Sequence, residues 1–158
     1  MREFINIVEA ASKDVLYHGS TELFDIRHAR PLTHFGTRAA AEHRLTVKSG
    51  NSGGYLYPVH LAINNPLRIR DRKEFEHSNF KLVDMLHYTI KAISADERGL
   101  LMSRECSADS IVELLSSKGF DGMVYKNAVE DPGKLSWMVF SASQIAPVGE
   151  PIKFGDHP

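Results

Sequence analysis

The chain has 158 residues, 42% hydrophobic and 25% charged, with 19 basic and 20 acidic side chains for a formal charge of −1. That length suits one domain with a real core, expected to span 1–158, and the balanced charge supplies no global basic field, so nucleic acid is not the default partner. Cys106 is the single cysteine, which excludes an intramolecular disulfide and points to a reducing compartment; no run approaches the roughly 18 apolar residues of a membrane helix.

Phe4, Ile7, Val8 and Ala11 recur at helical spacing and predict a short amphipathic helix over 2–12. Glu3, Glu9 and Asp14 deny this region the uncharged core of a signal peptide, so a cytoplasmic location is expected. Residues 15–17 read as a strand running into His18-Gly19-Ser20. Pro31 and Gly36 punctuate a loop, and Thr37 is placed to cap an alanine-rich helix, RAAAEHRL. The polar, glycine-rich stretch 48–54 reads as a mobile surface loop.

Residues 55–63 are rich in β-branched and aromatic types and read as a strand, with Tyr55 and Tyr57 on one face. Pro58 within it argues for an edge position or a bulge. Asn65-Pro66 marks a turn before a strand at 67–69. The stripe Leu82, Leu86, Ile90 and Ile93 predicts a helix over 80–93. Ser107 as N-cap and Gly119 just past the end bracket another helix, with Ile111, Leu114 and Leu115 inward. Strands follow at 120–125 and 137–140, the latter with Trp137 in the core, and the proline-bearing tail should be extended and partly frayed. Strands and helices do not alternate regularly, which favours an α+β domain over a doubly wound parallel sheet.

Several chemistries lack their signatures. The eight histidines form no HxxxH or HxH pair, and a lone cysteine offers no zinc set, so no metal is expected. There is no G-x-G-x-x-G and no Walker A loop, and without a G-x-S-x-G elbow Ser20 does not read as a nucleophile.

The segment Leu16-Tyr17-His18-Gly19-Ser20, a strand ending in His-Gly-Ser, resembles the first motif of the ADP-ribosyltransferases of the diphtheria-toxin and poly(ADP-ribose) polymerase type. Thr33-His34-Phe35-Gly36-Thr37 before RAAAEHR is similar to an aromatic–Gly–Thr turn in small, phage-associated members. Gly119-Phe120-Asp121-Gly122, then Glu130 in a loop, then a strand ending near Gln144-Ile145, is similar to their C-terminal half. Asn64-Asn65-Pro66-Leu67 agrees, so the resemblance runs over about 15–145.

The resemblance implies an ADP-ribosyltransferase-like split sheet with an NAD-binding cleft, and NAD as substrate. Gly19 would bond the nicotinamide carboxamide through its backbone, with Ser20 adding a hydroxyl and His18 bonding a ribose. Phe35 would wall the nicotinamide ring; Tyr55 and Tyr57, on one face of their strand, either extend the cleft wall or pack into the sheet core. Among Arg44, Lys48, Arg68, Arg70, Arg72 and Lys73, some would meet the pyrophosphate or a polyanionic target, while most read as solvated. One departure matters. Ser136 stands where the polymerase-type enzymes carry the glutamate that steadies an oxocarbenium-like transition state, and serine brings no charge. Glu130, on the preceding loop, is the candidate acid if that loop folds back over the cleft. The implied activity is transfer of ADP-ribose to a macromolecular acceptor, a host protein or a nucleic acid. The alternative is a weak or inactive NAD- or ADP-ribose-binding module.

Overall fold

The computed structural model describes residues 11, 13–50, 53–71 and 78–155. The predicted helix over 2–12 therefore lies almost wholly outside the described residues. The first strand, β1 (Leu16–Ser20), leads through a loop to β2 (His34–Phe35) and helix α1 (Arg38–Ser49). Thr37 caps α1 through its hydroxyl, which accepts from Ala40 N, and Gly50 ends it in the left-handed region at φ 59. Lys48 and Ser49 thus belong to the helix and not to a surface loop; of that loop, residues 51 and 52 fall outside the described set.

Strand β3 (Gly54–Leu61) and the short β4 (Pro66–Arg68) follow. The helix α2 (Asn79–Asp84) widens into a π-turn over Met85–Thr89, where Ile90 N donates to Met85 O at 2.9 Å. The helical stripe predicted out to 93 therefore ends early, with Lys91 turning the chain at φ 59. Helix α3 (Ala95–Ser103) has no apolar periodicity to announce it, since only Leu101 is buried, but Ser94 and Glu97 form a full capping box at its start. Helix α4 (Ala108–Ser117) begins at the Ser107 cap as predicted. Strands β5 (Gly122–Lys126) and β6 (Leu135–Val139) come next, and the tail supplies β7 (Ile145–Pro147) and β8 (Ile152–Phe154).

Two sheets result, in an α+β arrangement. In the first, β3 is central: β1 pairs along one edge, and β7 and β8 lie end to end along the other, all antiparallel. The tail is thus a sheet edge and not a frayed extension. Pro58 sits in the middle strand, contrary to the edge expectation. Its missing N–H falls opposite the gap between β7 and β8, where its carbonyl accepts from Val148 N at 2.9 Å and no ladder donor is lost. The second sheet has the order β2-β6-β5-β4, with only β4 and β5 parallel. Their crossover carries α2, α3 and α4, as a parallel pair requires.

Period-two alternation sorts β5 and β6 into two cores. Val124, Trp137 and Val139 face the first sheet, where they meet Leu16, Phe35 and Tyr57. Met123, Tyr125 and Met138 face the other way, the first and last beneath the helical layer of Leu82, Leu86 and Ile111. The space between the sheets is filled. Trp137 packs there as expected, and its indole Nε1 has no hydrogen-bond partner among the described residues. Helix α1 lies on the outer face of the first sheet, with Ala41 and Leu45 against Leu56. Among the described residues, no helix is long and apolar enough to cross a membrane.

Candidate active site at the fork of the sheets

Among the described residues, one isolated backbone pair bridges the two sheets. Tyr17 N donates to Gly36 O at 2.7 Å, and Gly36 N donates to Tyr17 O at 3.0 Å. Beyond it β1 and β2 part, and the fork opens toward α1. In an antiparallel ladder, alternate residues turn their N–H and C=O to opposite edges. Tyr17 spends its pair on Gly36, so Gly19, two residues on, turns its own N–H and C=O the same way, toward the His34 end of β2 across the fork. No strand among the described residues pairs with them there. That edge offers one donor and one acceptor side by side.

The bare α-carbon of Gly19 has a different reason. A Cβ there would lie 2.8 Å from Ala41 O and 2.9 Å from Leu45 Cγ. The missing side chain lets α1 sit on the strand; it does not itself face the fork.

His18 is fixed from three sides. Its Nδ1–H donates to His34 O at 2.8 Å, and the rings of Phe35, Phe24 and Tyr57 surround it at centroid distances of 5.6, 6.1 and 6.3 Å. Burial, helped by repulsion from Arg44 and Lys48, pushes its pKa down from 6.5 to about 4, although the His34 bond works the other way. The ring is therefore neutral, with Nε2 left as an acceptor.

The loop between β5 and β6 folds back onto this corner. Asn127 N donates to Lys134 O at 2.7 Å and Gly133 N to Asn127 O at 2.9 Å, which closes the loop on itself. Asp131 accepts from the Thr37 hydroxyl at 2.6 Å, and Asp71 accepts from Ala128 N at 2.6 Å. So anchored, the loop delivers Glu130 to Arg44 of α1, with Nη2 to Oε1 at 3.3 Å and side chains only 8% (Arg44) and 13% (Glu130) exposed. Burial is the main influence raising the Glu130 pKa and Asp71 adds to it, while Arg44 and His43 pull it back.

Ser136 is buried opposite Tyr125 in the β5–β6 ladder, and its Oγ accepts from Asn127 Nδ2 at 2.7 Å. The Tyr125 hydroxyl lies 2.8 Å from His34 Nδ1, and burial pushes that phenol well above its usual range.

One slot thus gathers His18, Gly19, Phe35, Glu130 and Ser136, together with His34, Arg44 and Tyr125. Ser20 and Tyr57 stand outside it. The Ser20 hydroxyl accepts from Glu22 N, and the Tyr57 hydroxyl accepts from Phe24 N at 2.8 Å while donating to Glu22 O at 3.2 Å. Both hold the loop after β1, so Tyr57 supports His18 from behind and does not extend the slot. Phe35 belongs mainly to the inter-sheet core, with one side of its ring toward His18.

From the sequence, Arg44 stood only in a group of cations read mostly as solvated, and nothing marked His34 or Tyr125 for the site. The partner of His34 is 91 residues away, and an arginine on an alanine-rich helix ordinarily reads as solvated. The free space in the slot is about 10 Å³, room for about one water. A ring-sized ligand enters only when Arg44, Glu130 and their loop give way. A roomier cavity of about 600 Å³, between Phe24, Arg27, Pro58 and Pro151, carries no comparable set of groups. Among the described residues no group of histidine, cysteine, aspartate or glutamate could hold a metal.

A family model described as ADP-ribosyltransferase in polyvalent proteins matches residues 12–150. No curated protein and no solved structure matches the chain. The matched span contains both sheet halves of the fork, the glycine edge, the histidine beside it and the loop that carries Glu130. The chain belongs to the ADP-ribosyltransferases of polyvalent proteins.

Proposed function

We propose that the chain transfers ADP-ribose from NAD⁺ to an acceptor on another macromolecule, with release of nicotinamide. The observation that carries this reading is the placement of Glu130. A loop carboxylate is held against Arg44 with its side chain only 13% exposed, in the slot that Gly19, His18 and Ser136 also line. Solvent-facing loop acids are the common case, and this one is not solvent-facing.

In the reaction, the Gly19 N–H and C=O pair with the nicotinamide carboxamide, which needs one donor and one acceptor in fixed register. His18 accepts a ribose hydroxyl at Nε2, the nitrogen left open by its bond to His34. The bond from C1′ to the pyridinium nitrogen breaks, and its electron pair neutralises that nitrogen. Positive charge then grows on the ribose. Glu130 supplies the opposing negative charge from a site where water is scarce, which is where such a group acts most strongly. The acceptor atom bonds to C1′ and gives up its proton. Ser136, fixed by Asn127, contributes a hydroxyl and no charge, so the acid has moved from the strand to the loop before it.

Nicotinamide release by the purified protein tests this. Glu130→Gln keeps the shape and removes the charge, and should lower the rate about 100-fold or more. Equal rates for the two proteins would refute the role of Glu130. Binding of NAD⁺ with no release by either would leave the second reading, a nucleotide-binding module, which the absence of charge at Ser136 favours.

A further inference from the structure

The proposed reaction leaves one proton without a destination. When the acceptor atom bonds to C1′ it sheds a proton, and a group in the slot must take it. Among the described residues that line the slot, those basic enough are His18, Glu130 and His34. Glu130 is the source of the charge that opposes the sugar, and a carboxylate that took the proton would lose that charge. His18 is a poor base, since burial pushes its pKa down to about 4, and its Nε2 serves the ribose hydroxyl. His34 remains.

His34 does not stand alone. Its Nδ1 lies 2.8 Å from the Tyr125 hydroxyl, and Tyr125 stands directly opposite Ser136 in the β5–β6 ladder. The order of donors along this row is set from its far end. Asn127 Nδ2 donates to Ser136 Oγ at 2.7 Å, which leaves the serine its own proton to give onward, and that hydroxyl bonds the Tyr125 oxygen. The phenol, kept protonated by burial, in turn donates to His34 Nδ1. Amide, serine, phenol and imidazole thus donate in one direction, and the row ends on a basic nitrogen. Tyr125 is buried and His34 half-buried, so the row also runs outward. Arg44 from α1, Glu130 from its loop and Asp71 beyond β4 are the charged groups that act on Tyr125.

We infer that Tyr125 and His34 form the proton relay of the transfer step, Tyr125 taking the proton of the acceptor and passing its own to His34. The inference rests on the transferase reading and adds the kind of acceptor the site serves. As the acceptor oxygen bonds to C1′, its O–H bond breaks and the proton goes to Tyr125 Oη. The phenol O–H breaks in the same step, and its proton goes to His34 Nδ1. That leaves an imidazolium, which sheds its proton to water. The electron pair of the broken glycosidic bond stays with nicotinamide. Such a relay helps a nucleophile that arrives protonated, a hydroxyl or water, and does nothing for one that arrives as an anion. The slot is therefore fitted to hydroxyl acceptors.

Water and azide, offered together to the full chain with NAD⁺, are the probe acceptors, since water must lose a proton and azide carries none. The readout is the ratio of ADP-ribose to ADP-ribosyl azide. It reports the capture step alone, whatever the rate at which nicotinamide leaves and whatever the fraction of protein folded. Tyr125→Phe should shift the ratio about tenfold or more toward azide. His34→Asn keeps a hydrogen-bond acceptor near the place of Nδ1 but cannot take a proton, and should shift it as far. The wild-type ratio should also move toward azide as the pH falls from about 8 to about 6, and that of His34→Asn should not. A ratio that either substitution leaves unmoved, or that ignores pH in the wild-type protein, overturns the inference while the products themselves uphold the transferase reading. Neither product from the wild-type protein overturns both.

Discussion

Replacing His18 by glutamine removes one titrating ring from the site, and the structure indicates how much stability should then stop depending on pH. In the folded protein the neutral ring donates from Nδ1 to His34 O at 2.8 Å, and protonation would place a cation among three aromatic rings and near Arg44 and Lys48. Its pKa accordingly falls from 6.5 to about 4. Between those values the unfolded chain holds a proton that the folded chain refuses. The contribution to stability is therefore complete above pH 6.5 and drains away as the pH falls toward 4. By linkage the whole contribution is about 3 kcal/mol, and about 2 kcal/mol of it is lost between pH 7 and pH 5. Glutamine can keep the bond to His34 O through its amide and cannot titrate.

Urea unfolding of both proteins at the two pH values reads the effect, since the other histidines cancel in the comparison. The wild-type protein should lose about 2 kcal/mol more than His18→Gln over that range. Proton resonances of the imidazole should independently show one ring that does not titrate above pH 5. Identical pH dependence of the two proteins would refute the account of His18 as a neutral ring held against charge.

Three further substitutions test the scaffold of the site. Gly19→Ala drives a methyl to within 2.8 Å of Ala41 O and 2.9 Å of Leu45 Cγ, and should cost about 1–3 kcal/mol in thermal unfolding; an unchanged melting temperature would mean that α1 is not seated on β1 as described. Gln144→Ala deletes an amide that donates to Ala62 O and Asp121 O and accepts from Phe140 N and Ser141 N, at 2.6–3.1 Å. With those backbone groups left wanting partners, the denaturant midpoint should drop by an amount equivalent to about 2 kcal/mol, and no drop would show that water replaces the amide freely. Asp131→Ala unhooks the Glu130 loop from Thr37, which still caps Ala40 N. Stability should change by less than about 1 kcal/mol while amide exchange over 128–134 speeds up, and unchanged protection there would place the anchor elsewhere.

What could be read from the chain follows from which forces are local. The strand into His18-Gly19-Ser20 and the Thr37 and Ser107 caps are decided within a few residues, and each appears where expected. Pro58 was misleading because a proline's fault depends on who lies opposite, and the gap between β7 and β8 is set by a tail nearly 90 residues later. That tail looked frayed for the same reason. Ile145, Ile152 and Phe154 are too scattered to announce strands, and only the waiting edge of β3 gives them a role. The π-turn after α2 breaks a stripe that periodicity alone carries on to Ile93. At the site, Glu130 was legible from its place between two recognisable strands. Arg44 was not, because its burial exists only once the loop has folded back over α1.

The fork ties fold and site together through one residue. Among the described residues, one backbone pair, Tyr17 with Gly36, joins the sheets and then fails to propagate. If it continued, Gly19 would spend its N–H and C=O on a neighbouring strand, and the chain would have a closed sheet with nothing to offer a ligand. The next pair of that ladder would join Gly19 to His34, whose carbonyl accepts instead from the His18 ring, while α1 covers the face of β1 beside it. The helix can lie so close only because position 19 has no side chain. Glycine therefore acts twice at this point, through its missing Cβ on the face toward α1 and through its backbone at the edge. The same helix carries Arg44 into the slot. An insertion in β1 that shifted the register by one residue would move Gly19 off the helix and its polar groups off the edge together, so the site cannot be retuned there without refolding its support.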